Sequence, residues 1–139
     1  MKNKVFLGGT CNETTWRNEL IEGIQLNFFN PVVDDWTPEC QKREINEKDN
    51  HCNIHLYVIT AKMLGVYSIA EAIDSADTKG KVTIFHVIPD GFSFPKLKSL
   101  EAVCNLVIRK GGLAYVDSDL SRTINLLNSG FRGNGNVQC

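Results

Sequence analysis

The segment MLGVYSIAEAIDSA, residues 63–76, places a serine and a glutamate where an apolar run gives way to a helical pattern. Glu71 follows Ser68 by three residues, and apolar residues then recur with the i, i+4, i+7 spacing of one helical face. The pair has the pattern of a capping box, in which both residues only stabilise the start of a helix. Alternatively, Glu71 is a carboxylate nucleophile that faces a pocket.

A glutamate in the first turn of a helix lies at the positive end of the helix dipole, which favours the ionised carboxylate. Such a carboxylate is suited to attack the anomeric carbon of a sugar through an oxocarbenium-like transition state. Retaining chemistry usually needs a second acid to protonate the leaving group. The candidates are acids near the second and third predicted strands, and each of them would otherwise be a solvated loop acid or a helix cap: Asp34, Asp35, Glu39 and Asp49.

The elements that must position Glu71 follow from hydrophobic periodicity along the whole chain. The predicted strands are residues 4–9, 26–33, 54–60, 81–88 and 113–116. The predicted helices are residues 14–26, 39–52, 69–78, 97–107 and 119–128. We therefore expect a single α/β domain over residues 1–129 and a Gly/Asn-rich tail at 130–139.

Strands that alternate with helices predict a parallel sheet covered on both faces. With five strands, the common doubly wound order is 2-1-3-4-5, and ligands bind beyond the carboxyl ends of strands 1 and 3. Two loops border that point, GGTCN at residues 8–12 and AKMLGVYS at residues 61–68. Glu71 follows the second loop, so the fold alone predicts that it lies near a ligand.

Two further motifs lie near the same point. The GGTCN loop could hold a phosphate or a sugar through backbone N–H groups, or it could be only a tight turn. Trp36 in the segment DDWTP could stack on a nucleobase, or it could fold back onto the core.

The histidines give no support for a metal site. His51, Cys52 and His55 are close in sequence, but their spacing matches no zinc pattern. His86, within TIFHVI, is interpreted as a hydrogen-bonded core residue. We expect neither a metal nor a cofactor.

The overall composition excludes some classes of partner. The chain has 139 residues and a net charge of −1, without the basic excess that bulk nucleic-acid binding requires. No apolar run reaches the roughly 18 residues of a membrane span. Five cysteines without framework spacing are typical of a reducing compartment. We therefore expect a cytoplasmic protein that binds neither nucleic acid nor a membrane.

Four segments carry a family likeness, in the order KVFLGGT, TTWRNEL, FFNPVVDDW and SIAEA, within residues 4–90. Together they resemble the nucleoside 2-deoxyribosyltransferase-like family. The resemblance implies a flavodoxin-like fold without a cofactor. It also implies transfer of a 2-deoxyribosyl group between nucleobases through a glycosyl ester on Glu71.

The resemblance also implies a set of binding residues. Gly8, Gly9 and Thr10 would line the sugar side, and Asn30, Asp34 and Trp36 would lie near the base. Asp49 and Ser68 complete the expected substrate site. The expected partners are a nucleoside or nucleotide, a nucleobase, and further copies of the chain in a homo-oligomer.

The sequence departs from the family pattern at two places. Ile73 stands where the family usually has glycine, and residues 61–70 contain no acid, with Lys62 there instead. Three functions therefore stay open. The protein exchanges or cleaves the N-glycosidic bond of a nucleoside or nucleotide, hydrolyses NAD or nucleoside monophosphates with the same glutamate, or binds nucleotides as a sensor without turnover.

Overall fold

The computed structural model describes residues 3–11, 13–132 and 136–137. Its parallel strands are β1 (Lys4–Gly9), β2 (Asn27–Phe29), β3 (Ile54–Ile59), β4 (Val82–Val87) and β5 (Leu113–Val116). Its α-helices are α1 (Trp16–Gly23), α2 (Pro38–Asn46), α3 (Tyr67–Ala76), α4 (Phe94–Arg109) and α5 (Ser121–Gly130). A π-helical turn, Glu47–His51, continues α2, and two short antiparallel strands follow α5: β6 (Phe131–Arg132) and β7 (Asn136–Val137).

The five parallel strands form one sheet in the order β2-β1-β3-β4-β5. The predicted doubly wound, flavodoxin-like arrangement is therefore confirmed. Gly8 pairs with Tyr57 and Gly9 with Val58, so β1 and β3 end side by side. Their carboxyl ends mark the position where the strand order reverses and where this class of sheet binds ligands.

Alternating residues of each strand point to opposite faces of the sheet, and both faces are buried. Val5 and Leu7 of β1 belong to a core cluster that includes Leu20 of α1 and Leu127 of α5. Phe6, which lies between them in β1, belongs instead to a second cluster. That cluster includes Ala72 of α3 and Leu100 and Val107 of α4. Helices α1 and α5 thus cover one face, and helices α3 and α4 cover the other.

The strand β2 is shorter than the predicted 26–33. It ends at Phe29, and the side-chain oxygen of Asn30 then accepts a hydrogen bond from the backbone N–H of Val32 at 3.1 Å. Pro31 has no N–H to continue a ladder, so the chain leaves the sheet here. The early end of β2 makes residues 30–36 a loop above the sheet edge.

Both buried histidines are hydrogen-bonded within the core. The two ring nitrogens of His86 lie 2.7 Å from the Thr123 hydroxyl and 2.8 Å from the Asp117 carbonyl oxygen, which confirms the interpretation of His86. His55 similarly contacts the Ser75 hydroxyl at 2.7 Å. Burial lowers the pKa of both imidazoles. In the described part of the chain, no helix combines the length and the apolar character that crossing a bilayer requires.

Candidate active site

A cavity of about 400 Å³ opens at the carboxyl ends of β1 and β3. Six residues expected from the sequence line it: Gly8, Gly9, Thr10, Trp36, Ser68 and Glu71. The cavity also has lining residues that the sequence reasoning did not select, among them Cys11, Arg17, Glu44, Met63 and Tyr67. The structure thus brings most of the expected residues together around one space.

The capping-box interpretation of Ser68 and Glu71 is wrong. Helix α3 begins at Tyr67, its N-cap residue is Val66, and no side chain of the described residues caps it. The backbone closes the first turn instead, because the N–H of Ile69 donates to the carbonyl of Val66 at 3.0 Å. Glu71 therefore lies in the second helical turn, and its carboxylate is not used to cap the helix.

The positive charge next to Glu71 belongs to a lysine side chain and not to the positive end of the α3 dipole. The Lys48 ammonium donates a hydrogen bond to a Glu71 carboxylate oxygen at 2.9 Å, and the two side chains are 13% and 11% exposed. Burial acts to lower the pKa of Lys48, but the hydrogen bond and the charge of Glu71 outweigh it, and the net effect is a raised pKa. Lys48 is thus held as a cation against the carboxylate.

Lys48 reaches Glu71 from the π-turn that follows α2. In that turn the N–H of Cys52 bonds the carbonyl of Glu47 five residues earlier, at 2.9 Å. The Lys81 ammonium donates to the carbonyls of Asp49 at 2.6 Å and of Cys52 at 2.9 Å, which satisfies oxygens that the turn leaves free. Turns of this kind are rare and are found frequently at functional sites.

Glu44 lies on α2, four residues before Lys48, so the two side chains are neighbours on the helix surface. Its side chain lines the cavity that Glu71 also lines. Burial and the negative charge of Glu71 raise the pKa of Glu44, while Lys48 and Arg17 act in the opposite direction. The cavity therefore contains an ion-paired carboxylate and a second carboxyl group that holds its proton more tightly than a free glutamate.

The glycines at the end of β1 allow the backbone to approach β3 closely. Gly9 has a φ of +111°, and a Cβ there would lie 2.1 Å from the carbonyl oxygen of Val58. A Cβ on Gly8 would lie 2.7 Å from the ring of Tyr57. Larger residues would therefore displace the strand ends that form the floor of the cavity.

Thr10 and Arg17 fix the loop after β1. The carbonyl of Thr10 accepts hydrogen bonds from the Trp16 indole at 2.9 Å and from the Arg17 guanidinium at 2.8 Å. The Thr10 hydroxyl accepts from the N–H of Thr60 at 3.0 Å, which ties the loop to the end of β3. Arg17 is only 6% exposed, and burial lowers its pKa.

The other expected residues do not meet in the cavity. Asn30 and Asp34 are absent from its lining, and Asp34 is exposed. Asp49 is also exposed, in the π-turn, and borders a smaller cleft of about 220 Å³ on the other side of Glu71. Trp36 does line the cavity and is 60% exposed, so it is not folded back onto the core.

Sequence reasoning missed Glu44, Lys48 and Arg17. The signal for the first two was their spacing of four residues in a predicted helix that leads into the third strand. Nothing in that spacing says which face of the helix meets the cavity, because residues 39–52 have little apolar periodicity. Arg17 stands directly after Trp16 in the predicted helix 14–26, and neither the helical pattern nor the segment TTWRNEL indicates that its side chain reaches the loop after β1.

Comparison with known families agrees with this arrangement. The family model described as "Nucleoside 2-deoxyribosyltransferase like" matches residues 2–90, which include all the cavity residues named above. The chain belongs to this family, and its cavity lies within the matched region. Comparisons with curated proteins and with solved structures gave no match.

Proposed function

We propose that the protein is an enzyme that exchanges or cleaves the N-glycosidic bond of a deoxynucleoside or a related nucleotide, with Glu71 as nucleophile. One observation carries the proposal. The Glu71 carboxylate is nearly buried, is paired with Lys48 at 2.9 Å, and lies in the wall of a cavity at the reversal of the strand order. Membership of the nucleoside 2-deoxyribosyltransferase-like family points to the same class of substrate.

The reaction has two steps. A Glu71 oxygen attacks the anomeric carbon, and the bond to the base nitrogen breaks with its electron pair leaving on the base. The resulting glycosyl ester is then attacked by a second base or by water, which restores the carboxylate. Lys48 stabilises that carboxylate as it leaves, because its ammonium is already within hydrogen-bonding distance.

The walls of the cavity suggest where each part of the substrate binds. Gly8 and Gly9 carry no side chain that would keep a sugar away from the floor. The exposed face of Trp36 is available to stack on a base, and the Ser68 hydroxyl lies on the side of the cavity formed by α3. Asn30, Asp34 and Asp49 are not part of the proposed site.

A panel of deoxynucleosides, ribonucleosides, nucleoside monophosphates and NAD, each incubated with and without free adenine, tests this function. Mass spectrometry should detect an exchanged or released base for wild type and none for Glu71→Ala. A 2-deoxy sugar should react faster than its ribose counterpart, because it lacks an electron-withdrawing hydroxyl next to the cationic carbon.

Two results would contradict the proposal. If Glu71→Ala keeps turnover close to that of wild type, Glu71 is not the nucleophile. If wild type binds members of the panel but converts none of them, the protein is a nucleotide-binding module without turnover. Thermal unfolding of both proteins should show that Glu71→Ala is folded under the assay conditions.

A further inference from the structure

We propose that Glu44 is the acid that protonates the leaving nucleobase. This inference rests on the proposed function, since it assigns the second catalytic residue of the same reaction. The sequence pattern predicts four other candidates for that role, after the second strand and before the third. The geometry points instead to a residue in the middle of α2.

Glu44 lies in the lining of the cavity, and the acids predicted for this role do not. Asp34, Asp35, Glu39 and Asp49 are all absent from the lining of the cavity. Among the described residues that do line it, the carboxyl groups belong to Glu44 and Glu71. With Glu71 as the nucleophile, Glu44 is the remaining carboxylic acid that faces a bound substrate.

Helix α2, which carries Glu44, is held at both of its ends. Its start is fixed by Thr37, whose hydroxyl accepts from the N–H of Cys40 at 3.2 Å, and by Pro38 in the first turn. The π-turn that continues α2 is held by two ion pairs, Lys48–Glu71 at 2.9 Å and Glu47–Lys4 at 2.8 Å. Glu44 lies between these anchors, so its side chain is positioned by a rigid element.

The charges around Glu44 favour its protonated form. The groups that face it are Glu71 from α3, Lys48 from the π-turn and Arg17 from α1. Lys48 is engaged by Glu71, and Glu44 has no ion-pair partner among the residues that the structure describes. Burial and the charge of Glu71 raise its pKa, which is the direction that a general acid needs.

The proton balance is complete within the two carboxyl groups. In the first step Glu71 forms a bond to the anomeric carbon, the carbon–nitrogen bond breaks, and the Glu44 proton moves to the base. In the second step the incoming base nitrogen or water oxygen bonds to the anomeric carbon, its proton moves to the Glu44 carboxylate, and the ester bond to Glu71 breaks with its electron pair returning to the carboxylate. At the end of the cycle Glu44 is protonated and Glu71 is an ionised carboxylate, as both were at the start.

The test compares leaving groups that do and do not need a proton. In N7-methyl-2′-deoxyguanosine the base is already cationic and leaves as a neutral molecule, whereas 2′-deoxyguanosine needs protonation. Glu44→Gln should lower kcat/KM on 2′-deoxyguanosine by about 100-fold or more. On the N7-methylated substrate the loss should be less than about 10-fold, because no proton transfer remains to be lost.

A pH profile extends the test to whichever nucleoside wild type converts best. The kcat/KM of wild type should fall on the alkaline side as Glu44 loses its proton, and Glu44→Gln should lack that limb. Glu22→Gln, which removes an exposed carboxylate on α1, should match wild type on both substrates and in the pH profile. Thermal unfolding should show that both variants are folded.

The possible results separate this assignment from the function on which it rests. Equal losses on both substrates would mean that Glu44 only supports the shape of the cavity, and unchanged rates on both would mean that it is not the acid. Either result overturns the assignment while the proposed function stands. If wild type converts no member of the panel, or if Glu71→Ala is active, the proposed function fails and the acid role fails with it.

Discussion

Among the described residues, Lys48 is the cation that forms an ion pair with the Glu71 carboxylate. Lys48 and Glu71 come from different elements, and each would be a poorly solvated charge without the other. This contact is long-range, since the two residues are 23 positions apart in the sequence. It could not be predicted from the sequence, because it requires knowing that the π-turn and α3 lie next to each other in the fold.

Lys48→Met should therefore lower both the free energy of unfolding and the turnover of the enzyme. It leaves the Glu71 carboxylate nearly buried and unpaired, which we expect to lower the free energy of unfolding by about 2 kcal/mol, between the values for exposed and fully buried pairs. Urea unfolding at pH 7 measures this change, and Lys48→Arg should restore most of it. A Lys48→Met protein as stable as wild type would show that the ion pair is not formed in solution.

Glu44 should make the stability of the fold depend on pH. Its pKa is raised by burial and by Glu71, so the folded state binds the proton more tightly than the unfolded chain does. Ionised Glu44 therefore destabilises the fold above its folded pKa, and this penalty disappears below the unfolded value of about 4.3. Glu44→Gln should be more stable than wild type at pH 7.

Urea unfolding of wild type and Glu44→Gln between pH 4 and pH 8 checks this prediction. The excess stability of Glu44→Gln should shrink as the pH falls toward 4. An advantage that is unchanged over this range would mean that it does not come from the ionisation of Glu44.

At the scale of the elements, local patterns predicted the layout and missed the details that shape the site. The alternation of apolar strands and periodic helices was sufficient for the order of the sheet, whereas the predicted strand 26–33 runs past the end of β2 at Phe29. The Ser-x-x-Glu pattern predicts a capped helix from residue 69, whereas α3 begins two residues earlier, at Tyr67, where backbone bonds close the turn. The π-turn has no local sequence signal, since its geometry depends on contacts with β3 and with Lys81.

The close approach of β1 to β3 requires a glycine at the end of β1, and this requirement can be tested against a matched control. Gly9 and Gly111 both have φ above +100°, but a Cβ on Gly9 would meet the β3 backbone, whereas none of the described atoms lies within 4 Å of a Cβ on Gly111. Gly111→Ala should cost about 1–2 kcal/mol from the backbone conformation alone. Gly9→Ala should cost about 3 kcal/mol or more, because the added contact has to be relieved as well.

Thermal or urea unfolding of the two variants measures the difference. Gly9→Ala should also lose nucleoside turnover, since the floor of the cavity moves with the strand end. Equal costs for the two variants would show that the close approach of β1 to β3 is absent in solution.

At the scale of the whole molecule, large apolar side chains surround the mouth of the cavity. They are Trp36, Leu64, Val66 and Tyr67, with Leu64 86% exposed and Tyr67 71% exposed. A cluster of this kind is typical of an interaction surface. It is consistent with the homo-oligomer expected from the family likeness, which stays a prediction.

Light scattering coupled to size exclusion tests the oligomer. We expect a mass that is a multiple of the 15.5 kDa chain mass, and a shift toward the monomer when Leu64 and Val66 are both changed to glutamate. A monomer at the concentration used in activity assays would remove the prediction. It would also mean that the site is complete within one chain.

The central claim, that Glu71 becomes covalently attached to the sugar, is tested most directly by trapping the intermediate. A 2-deoxy-2-fluoro nucleoside should form the ester and resolve it slowly, because fluorine destabilises the cationic transition state. Peptide mapping by mass spectrometry should place the added sugar on the fragment that contains Ser68–Glu71, and the product should keep its anomeric configuration. An adduct on Asp34, Asp35 or Asp49, or an inverted product without an adduct, would contradict the account.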